Sequence, residues 1–371
     1  MPSNIFEAFS DPQLGRRLLA HLRELVGDEP MLMMEVCGTH TVAVSRAGLR
    51  SLIRPLELRS GPGCPVCVTD DSDLAAVVRL AKTERVTVAT YGDMLRVPSS
   101  AGSLAEARAA GADVRVVYSA LEGLKLAQQR REREVVLVAV GFETTAPGAA
   151  LAARRAVERG VSNFSMVSLH KLIPPALQAL LSPGRAALRG LLLPGHVSTV
   201  IGSRAFEFLS REFALPAAVA GFEPLDILGA LITLVRAAKA GHPAVYNCYR
   251  RAVRPQGNPR ARALLEEVFR PAPARWRGLG VVPDSGLVLR EEYSAVDAAR
   301  RFGIVPEESM PAPGCRCGEV LLGRIIPPEC PLFGNGCTPG APRGPCMVSS
   351  EGSCQAYYRY ERGGELVGRR G

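Results

Sequence analysis

Apolar residues fall along the chain in two rhythms. From Ser10-Asp11-Pro12 onward, Leu14, Leu18, Leu22 and Leu25 recur at helical spacing, with Ser10 or Asp11 as N-cap and Pro12 in the first turn. After Gly27-Asp28-Glu29-Pro30 the rhythm changes to short apolar runs. Residues 31–36, 56–60, 86–90 and 114–118 read as buried strands. Helices lie between them, such as 72–82 and one opened by the capping box Ser103-x-x-Glu106. A second series of strands follows at 135–140, 164–169, 190–193 and 217–220, with helices near 146–158, 174–181, 198–209 and 224–238. Strand–helix alternation with continuously apolar strands predicts parallel sheets covered on both faces, hence an α/β fold. Eight strands in two sets of four predict two similar parallel-sheet domains side by side. The tripeptide Gly-Phe-Glu, at Gly141 and again at Gly221, is a faint internal echo of that duplication.

Beyond about Pro255 the texture changes. A helix over 260–269 and a mixed stretch lead to a Cys/Pro/Gly-rich segment over 311–354 and an arginine- and glycine-rich tail. That segment has almost no apolar period and cannot build its own core, so metal or covalent bonds are expected to hold it. The reading divides the chain into an N-terminal helix packing on the rest (1–28), α/β domain I (29–133), α/β domain II (134–255) and a C-terminal cysteine domain (256–371).

Composition narrows the classes. Of 371 residues 47% are hydrophobic, enough to fill real cores, which excludes wholesale disorder. The longest apolar stretch, 213–235, is interrupted by Pro216, Glu223, Pro224 and Asp226, so no membrane span is expected. The opening MPSNIFEAFSDPQ has neither a basic nor an apolar signal region, and a cytoplasmic location is expected. The net charge of +9 comes from 41 Arg and only four Lys, scattered rather than clustered, and aromatics are 5%. A nucleic-acid surface is therefore not expected, whereas an anionic ligand or acidic partner protein fits the charge.

Ten cysteines carry the chemistry. In a reducing compartment their expected uses are metal binding and redox catalysis rather than disulfide staples. Cys37-Gly38-Thr39-His40 directly follows a strand, where ligands of open α/β sheets sit. A thiol at a helix N-terminus is favoured as thiolate, for nucleophilic attack or metal ligation; a buried Cys beside a turn His is the plainer alternative. Gly61-Pro62-Gly63-Cys64-Pro65-Val66-Cys67 follows the next strand. Two cysteines make only half a zinc site, so a redox dithiol is favoured. Gly141-Phe142-Glu143-Thr144-Thr145-Ala146-Pro147 lies between a strand and a helix. Thr144 or Thr145 can simply cap that helix, or exposed amides with Glu143 can bind an anionic or polar group. Tyr91-Gly92-Asp93 and Pro194-Gly195-His196-Val197-Ser198 occupy equivalent strand ends, so all these motifs are expected at one shared cleft. Near the end, Cys315, Cys330, Cys337 and Cys354 follow C-x14-C-x6-C-x16-C, with Cys317 and Cys346 inside the pattern. Four thiolates suit zinc or a [4Fe–4S] cluster, and the long irregular spacings lean to the cluster, leaving Cys317 and Cys346 as a second dithiol. Cys248 reads as an ordinary buried cysteine. No Walker-type phosphate loop is present.

Taken in order over nearly the whole chain, CGTH, GPGCPVC, GFETTAP, PGHVS and the C-terminal cysteine array resemble the HypD family of [NiFe]-hydrogenase maturation proteins. The resemblance implies two α/β domains facing a cleft and a C-terminal [4Fe–4S] domain of irregular structure and helices. It implies a scaffold on which hydrogenase iron receives two cyanides and one carbon monoxide, together with a small HypC-type chaperone and a HypE-type cyanide donor. Carried over, Cys37 would bind the nascent iron beside His40, and Cys64 and Cys67 would be the cleft dithiol. Cys315, Cys330, Cys337 and Cys354 would hold the cluster. Cys317 and Cys346 would be its neighbouring dithiol, an arrangement similar to ferredoxin–thioredoxin reductase, with electrons passing to Cys64/Cys67 and the Cys37 site. Glu143, Thr144, Thr145 and His196 would line the ligand cleft. Two other classes compete: a general iron–sulfur dithiol–disulfide oxidoreductase acting on a protein, in which CGTH has no task, and a zinc-stabilised interaction module.

Overall fold

The computed structural model describes residues 11–182, 188–307 and 312–361. Ser10, the alternative N-cap, Pro311, the first residue of the cysteine-rich segment, and the Arg/Gly tail beyond Glu361 lie outside them. Asp11 is the cap of the first helix, Pro12–Val26, its carboxylate accepting from the backbone N–H of Gln13 and Leu14.

Among the described residues, nine strands form two parallel sheets. They are β1 (Met31–Glu35), β2 (Leu56–Ser60), β3 (Val86–Thr90), β4 (Asp113–Val116), β5 (Glu134–Gly141), β6 (Phe164–His170), β7 (Leu191–Pro194), β8 (Ala217–Ala220) and β9 (Val245–Asn247). Eight of these match the apolar runs to within two residues. The α/β class with two parallel sheets therefore stands.

Their grouping differs from the expected division at 133/134. The first sheet runs β2-β1-β7-β8-β9 and the second β4-β3-β5-β6. The chain starts one sheet, leaves it to build the whole of the other, and returns. Periodicity reports which segments are strands, but pairing partners are chosen by which faces cover each other, and that is a property of the assembled sheet. The N-terminal helix packs on the helix Pro224–Ala240, so it too belongs with the first sheet.

Two further expectations are corrected. The helix read over 198–209 is three pieces, Gly195–Ile201, a 3-10 turn Ser203–Phe206 and Phe208–Phe213, because Gly202 adopts φ +86° where the chain passes Pro255–Gly257. The mixed stretch after 269 is an antiparallel hairpin, β10 (Phe269–Trp276) and β11 (Gly280–Leu289), packed against edge strand β6. Pro271 and Pro273 disguise β10, although Gly278-Leu279-Gly280 marks its turn. Among its described residues the C-terminal segment carries only short helices, Cys317–Leu321, Pro345–Val348 and Ser353–Tyr360, and a 3-10 turn Pro327–Glu329, as its weak patterning implies.

Leu137, wholly buried on β5 between β3 and β6, is a core residue of the second sheet. Leu137→Ala is expected to cost about 2–5 kcal/mol, seen as a lower urea midpoint; an unchanged midpoint would contradict the packing described.

Candidate functional site

Parallel pairing of β1 with β2 in register, from Met31↔Leu56 to Glu35↔Ser60, delivers two strand-to-helix turns side by side. Cys37 opens the helix Gly38–Arg46 and Cys64 opens the short helix Pro65–Val68. The turns interlock: Gly61 N–H donates to the Glu35 carbonyl (2.7 Å) and Gly38 N–H to the Gly63 carbonyl (2.8 Å). A Cβ on Gly63 would lie 2.1 Å from the Cys37 nitrogen, so only glycine permits this approach. Cys64 and Cys67 are joined as a disulfide, and Cys67 N–H donates to the Cys64 sulfur.

Cys37 sits at the helix start as expected, but its electrostatics are the reverse of an activated thiol. Burial pushes its pKa up to about 12, against N–H groups of His40 and Thr39 that favour the thiolate, and the carboxylates of Glu351 and Glu35 push the same way as burial. Glu35 was not singled out by the sequence. It is fully buried, accepts from Cys37 N–H (3.0 Å) and from Thr41 Oγ1 (2.5 Å), and faces Arg50 at 3.6 Å. Arg50 in turn reaches Glu361 and lies over the Tyr357 ring, tying this turn to the C-terminal helix. Glu351, also missed, accepts from Thr39 Oγ1 at 2.7 Å. Glu351 reaches the turn only through the fold, whereas Glu35 stands two residues before Cys37 at the end of an apolar strand, where a buried carboxylate is not expected.

His40 is buried, and burial lowers its pKa to about 4, so the ring is neutral. Its Nε2 lies 2.9 Å from the Gly221 carbonyl, which can only accept, so Nε2 carries the proton. Nδ1 therefore keeps its lone pair, buried and without a partner among the described residues. Phe222 stacks between His40 (4.9 Å) and His196 (3.9 Å), joining CGTH to PGHVS; His196 itself is exposed.

The six C-terminal cysteines line one cavity with Leu332, Phe333, Gly344 and Met347. A side chain on Gly344 would come within 2.7 Å of the Cys315 sulfur. Hydrogen bonds from the Cys315 and then the Cys346 thiol hold Cys317 well below the ordinary thiol range, and both donors are correspondingly raised. Among the described residues no three His, Cys, Asp or Glu side chains converge as a single-ion site; the thiols surround a space instead. The short helix Pro65–Val68 packs on both Cys317–Leu321 and Pro345–Val348, and sulfurs from both ends of the chain share one apolar cluster. Asp93 of the Tyr91-Gly92-Asp93 motif accepts from Ser349 Oγ and from Ser350 N–H and Oγ, fastening the second sheet to the same segment.

Glu143, Thr144 and Thr145 stand at the carboxyl edge of the second sheet. The Thr145 side chain does not cap its helix: its hydroxyl turns back to the Phe142 carbonyl, as Thr144 and Thr145 are both exposed. Glu143 points inward and accepts from Ile173 N–H, while its Oε2 has no partner among the described residues. Cys248 is half-buried rather than buried, its thiol 3.8 Å from Thr233 Oγ1. Among the described residues no helix is long and apolar enough to cross a membrane.

A family model described as "HypD: Hydrogenase formation hypA family" matches residues 13–361. The chain is 47% identical over 344 residues to the hydrogenase maturation factor HypD of Rhizobium leguminosarum bv. viciae, covering 90% of this chain and 89% of that one. It is 45% identical over 370 residues to the HypD of Cupriavidus necator (96% and 97% covered) and 42% over 364 residues to that of Escherichia coli K12 (96% and 98%).

Burial raises the Glu143 pKa from 4.5 to about 7. The fold thus favours the protonated acid, a stability contribution present below pH 4.5 and lost as pH rises through about 7. Glu143→Gln removes that dependence. Urea unfolding is expected to show the variant gaining about 3 kcal/mol on the parent between pH 4.5 and 8, and parallel pH profiles would disprove the inward, water-free carboxyl.

Proposed function

The chain belongs to the HypD family of hydrogenase maturation factors, and on that footing we propose that it is the scaffold on which the iron of a [NiFe]-hydrogenase receives two cyanides and one carbon monoxide. The observation that carries this reading is the common joint of sulfur. The Cys37 turn, the Cys64–Cys67 helix and the helices bearing Cys317 and Cys346 pack on one another.

The iron is cargo. Cys37 and His40 are the residues to grip it, with a soft sulfur at the helix start and a buried imidazole lone pair. A thiol kept protonated by burial gives up its proton when a cation binds, so this pocket suits metal capture better than free nucleophilic attack. A HypC-type chaperone would add a further thiolate and a HypE-type partner would bring cyanide as a thiocyanate. Releasing cyanide from a thiocyanate consumes two electrons (R–SCN + 2e⁻ → RS⁻ + CN⁻). Oxidation of the Cys64/Cys67 dithiol to its disulfide supplies two.

Cys315, Cys330, Cys337 and Cys354 would hold a [4Fe–4S] cluster, which supplies reducing power one electron at a time when bound. A cavity whose ligating donors are cysteine sulfurs amid apolar side chains, with no single-ion site among the described residues, suits that group better than zinc. Cys317 and Cys346, which line the same cavity, would form the adjoining pair. A general reductase of proteins leaves the Cys37 thiol and the buried His40 lone pair without a task, which favours the scaffold reading.

Cys64→Ala, purified without oxygen together with a HypC-type partner, is expected to lack the infrared bands of iron-bound cyanide; bands of parental intensity would remove the dithiol from the reaction. Cys330→Ser is expected to lose brown colour and acid-labile sulfide. A parent protein containing zinc and no sulfide would overturn the cluster assignment.

A further inference from the structure

Arg277 belongs to no motif, yet it lies at the joint between the two sulfur pairs. Its predecessor Trp276 ends β10 and bridges to Thr69. The Arg277 N–H donates to the Val68 carbonyl (2.9 Å) and its Nη2 to the Thr69 carbonyl (3.2 Å). Val68 is the last residue of the Cys64–Cys67 helix and Thr69 its C-cap, so Arg277 satisfies carbonyls at that helix's end. Its successor Gly278, at φ +87°, touches Gly318, the residue after Cys317: a Cβ there would lie 2.7 Å from the Gly318 carbonyl oxygen. One three-residue stretch thus grips both helices. Arg277 is buried, 6% exposed as a residue.

The remaining donor is the informative feature. Arg277 Nε is buried with no acceptor among the described residues. A buried cation with an unfilled donor is costly unless negative charge arrives to meet it. Reducing a buried disulfide creates such charge, because the leaving sulfur departs as thiolate.

We propose that Arg277 is the positioning residue that couples the two sulfur pairs, holding the Cys64–Cys67 helix on the Cys317 helix and offsetting the negative charge formed when the Cys64–Cys67 disulfide is reduced. The inference rests on the dithiol reading above. In the exchange, a thiolate of the Cys317/Cys346 pair attacks one sulfur of the Cys64–Cys67 disulfide. That S–S bond breaks, a mixed disulfide forms and the other sulfur leaves as thiolate. The second donor thiol passes its proton to that thiolate and closes the Cys317–Cys346 disulfide, releasing the last sulfur. Two electrons move from one pair to the other and no outside reactant is needed. Arginine suits the task because it stays charged in a buried site and its planar fork fixes the carbonyl contact.

The test uses the full chain without oxygen, equilibrated in dithiothreitol redox buffers, with Cys64 and Cys67 quantified by alkylation and peptide mass. Arg277→Gln is expected to move the equilibrium of that pair about tenfold toward the disulfide, about 30 mV for a two-electron couple. Arg277→Lys, which keeps the charge, is expected to stay within about threefold of the parent. A Gln variant with the parent's circular dichroism and the parent's potential overturns the proposal. Should the Gln variant not fold, the Lys variant decides: a retained potential supports the role of charge and a tenfold shift refutes it. Infrared bands separate the two layers of argument. A shifted potential with unchanged cyanide bands leaves the coupling standing and sinks the dithiol's part in cyanide release.

Discussion

Everything at the site depends on one backbone contact, the approach of the Gly63 turn to the start of the Cys37 helix. Parallel strands with both faces covered must send their chains out at the same edge, so in-register pairing of β1 and β2 places consecutive turns next to each other. The two hydrogen bonds between the turns then leave no room for a side chain at residue 63. Hydrophobic burial sets this geometry. The sulfur chemistry occupies what the sheet edge provides.

Charge at that edge is handled by burial and counter-charge. Glu35 is placed in the core and its pKa is raised by that burial, against the opposing pull of Arg50 and of hydrogen bonds from Ser60, Thr41 and Cys37. It orders the turn through the Cys37 N–H, while Arg50 extends the network to Tyr357 and Glu361 of the C-terminal segment. A buried pair of this kind adds little net stability but penalises any arrangement that separates its members. Here its members hold the first sheet and the C-terminal helix in one orientation about Cys37. Asp93 does the same for the second sheet through Ser349 and Ser350. A segment with no apolar period of its own is thus fastened from several sides, by Arg50, by Thr39, by Asp93 and by the close approach of Gly278 to Gly318.

The route of the chain explains why sulfurs far apart in sequence meet. Because the second sheet is inserted between β2 and β7 of the first, and the hairpin β10–β11 then crosses to edge strand β6, the chain reaches the cysteine segment already wrapped around both sheets. Trp276, fully buried and donating from Nε1 to Ser285 Oγ, locks that hairpin beside the Cys64–Cys67 helix.

Much of this was legible in the residues alone. Strand and helix positions follow from local burial periods, and CGTH, C-x-x-C, GFETT and the C-terminal cysteines are recognisable because their members are neighbours in sequence or share a rare residue type. Glu35, Glu351 and Arg277 were not legible. Each is one of many acidic or basic residues; Glu351 and Arg277 take their roles from partners hundreds of positions away, and Glu35 takes its own from burial and from Arg50. Which strands share a sheet, whether Cys37 is a reactive or a protonated thiol, and which sulfurs face one another were decided by the tertiary structure, because sheet pairing, desolvation and electrostatic neighbours exist only once distant segments have packed.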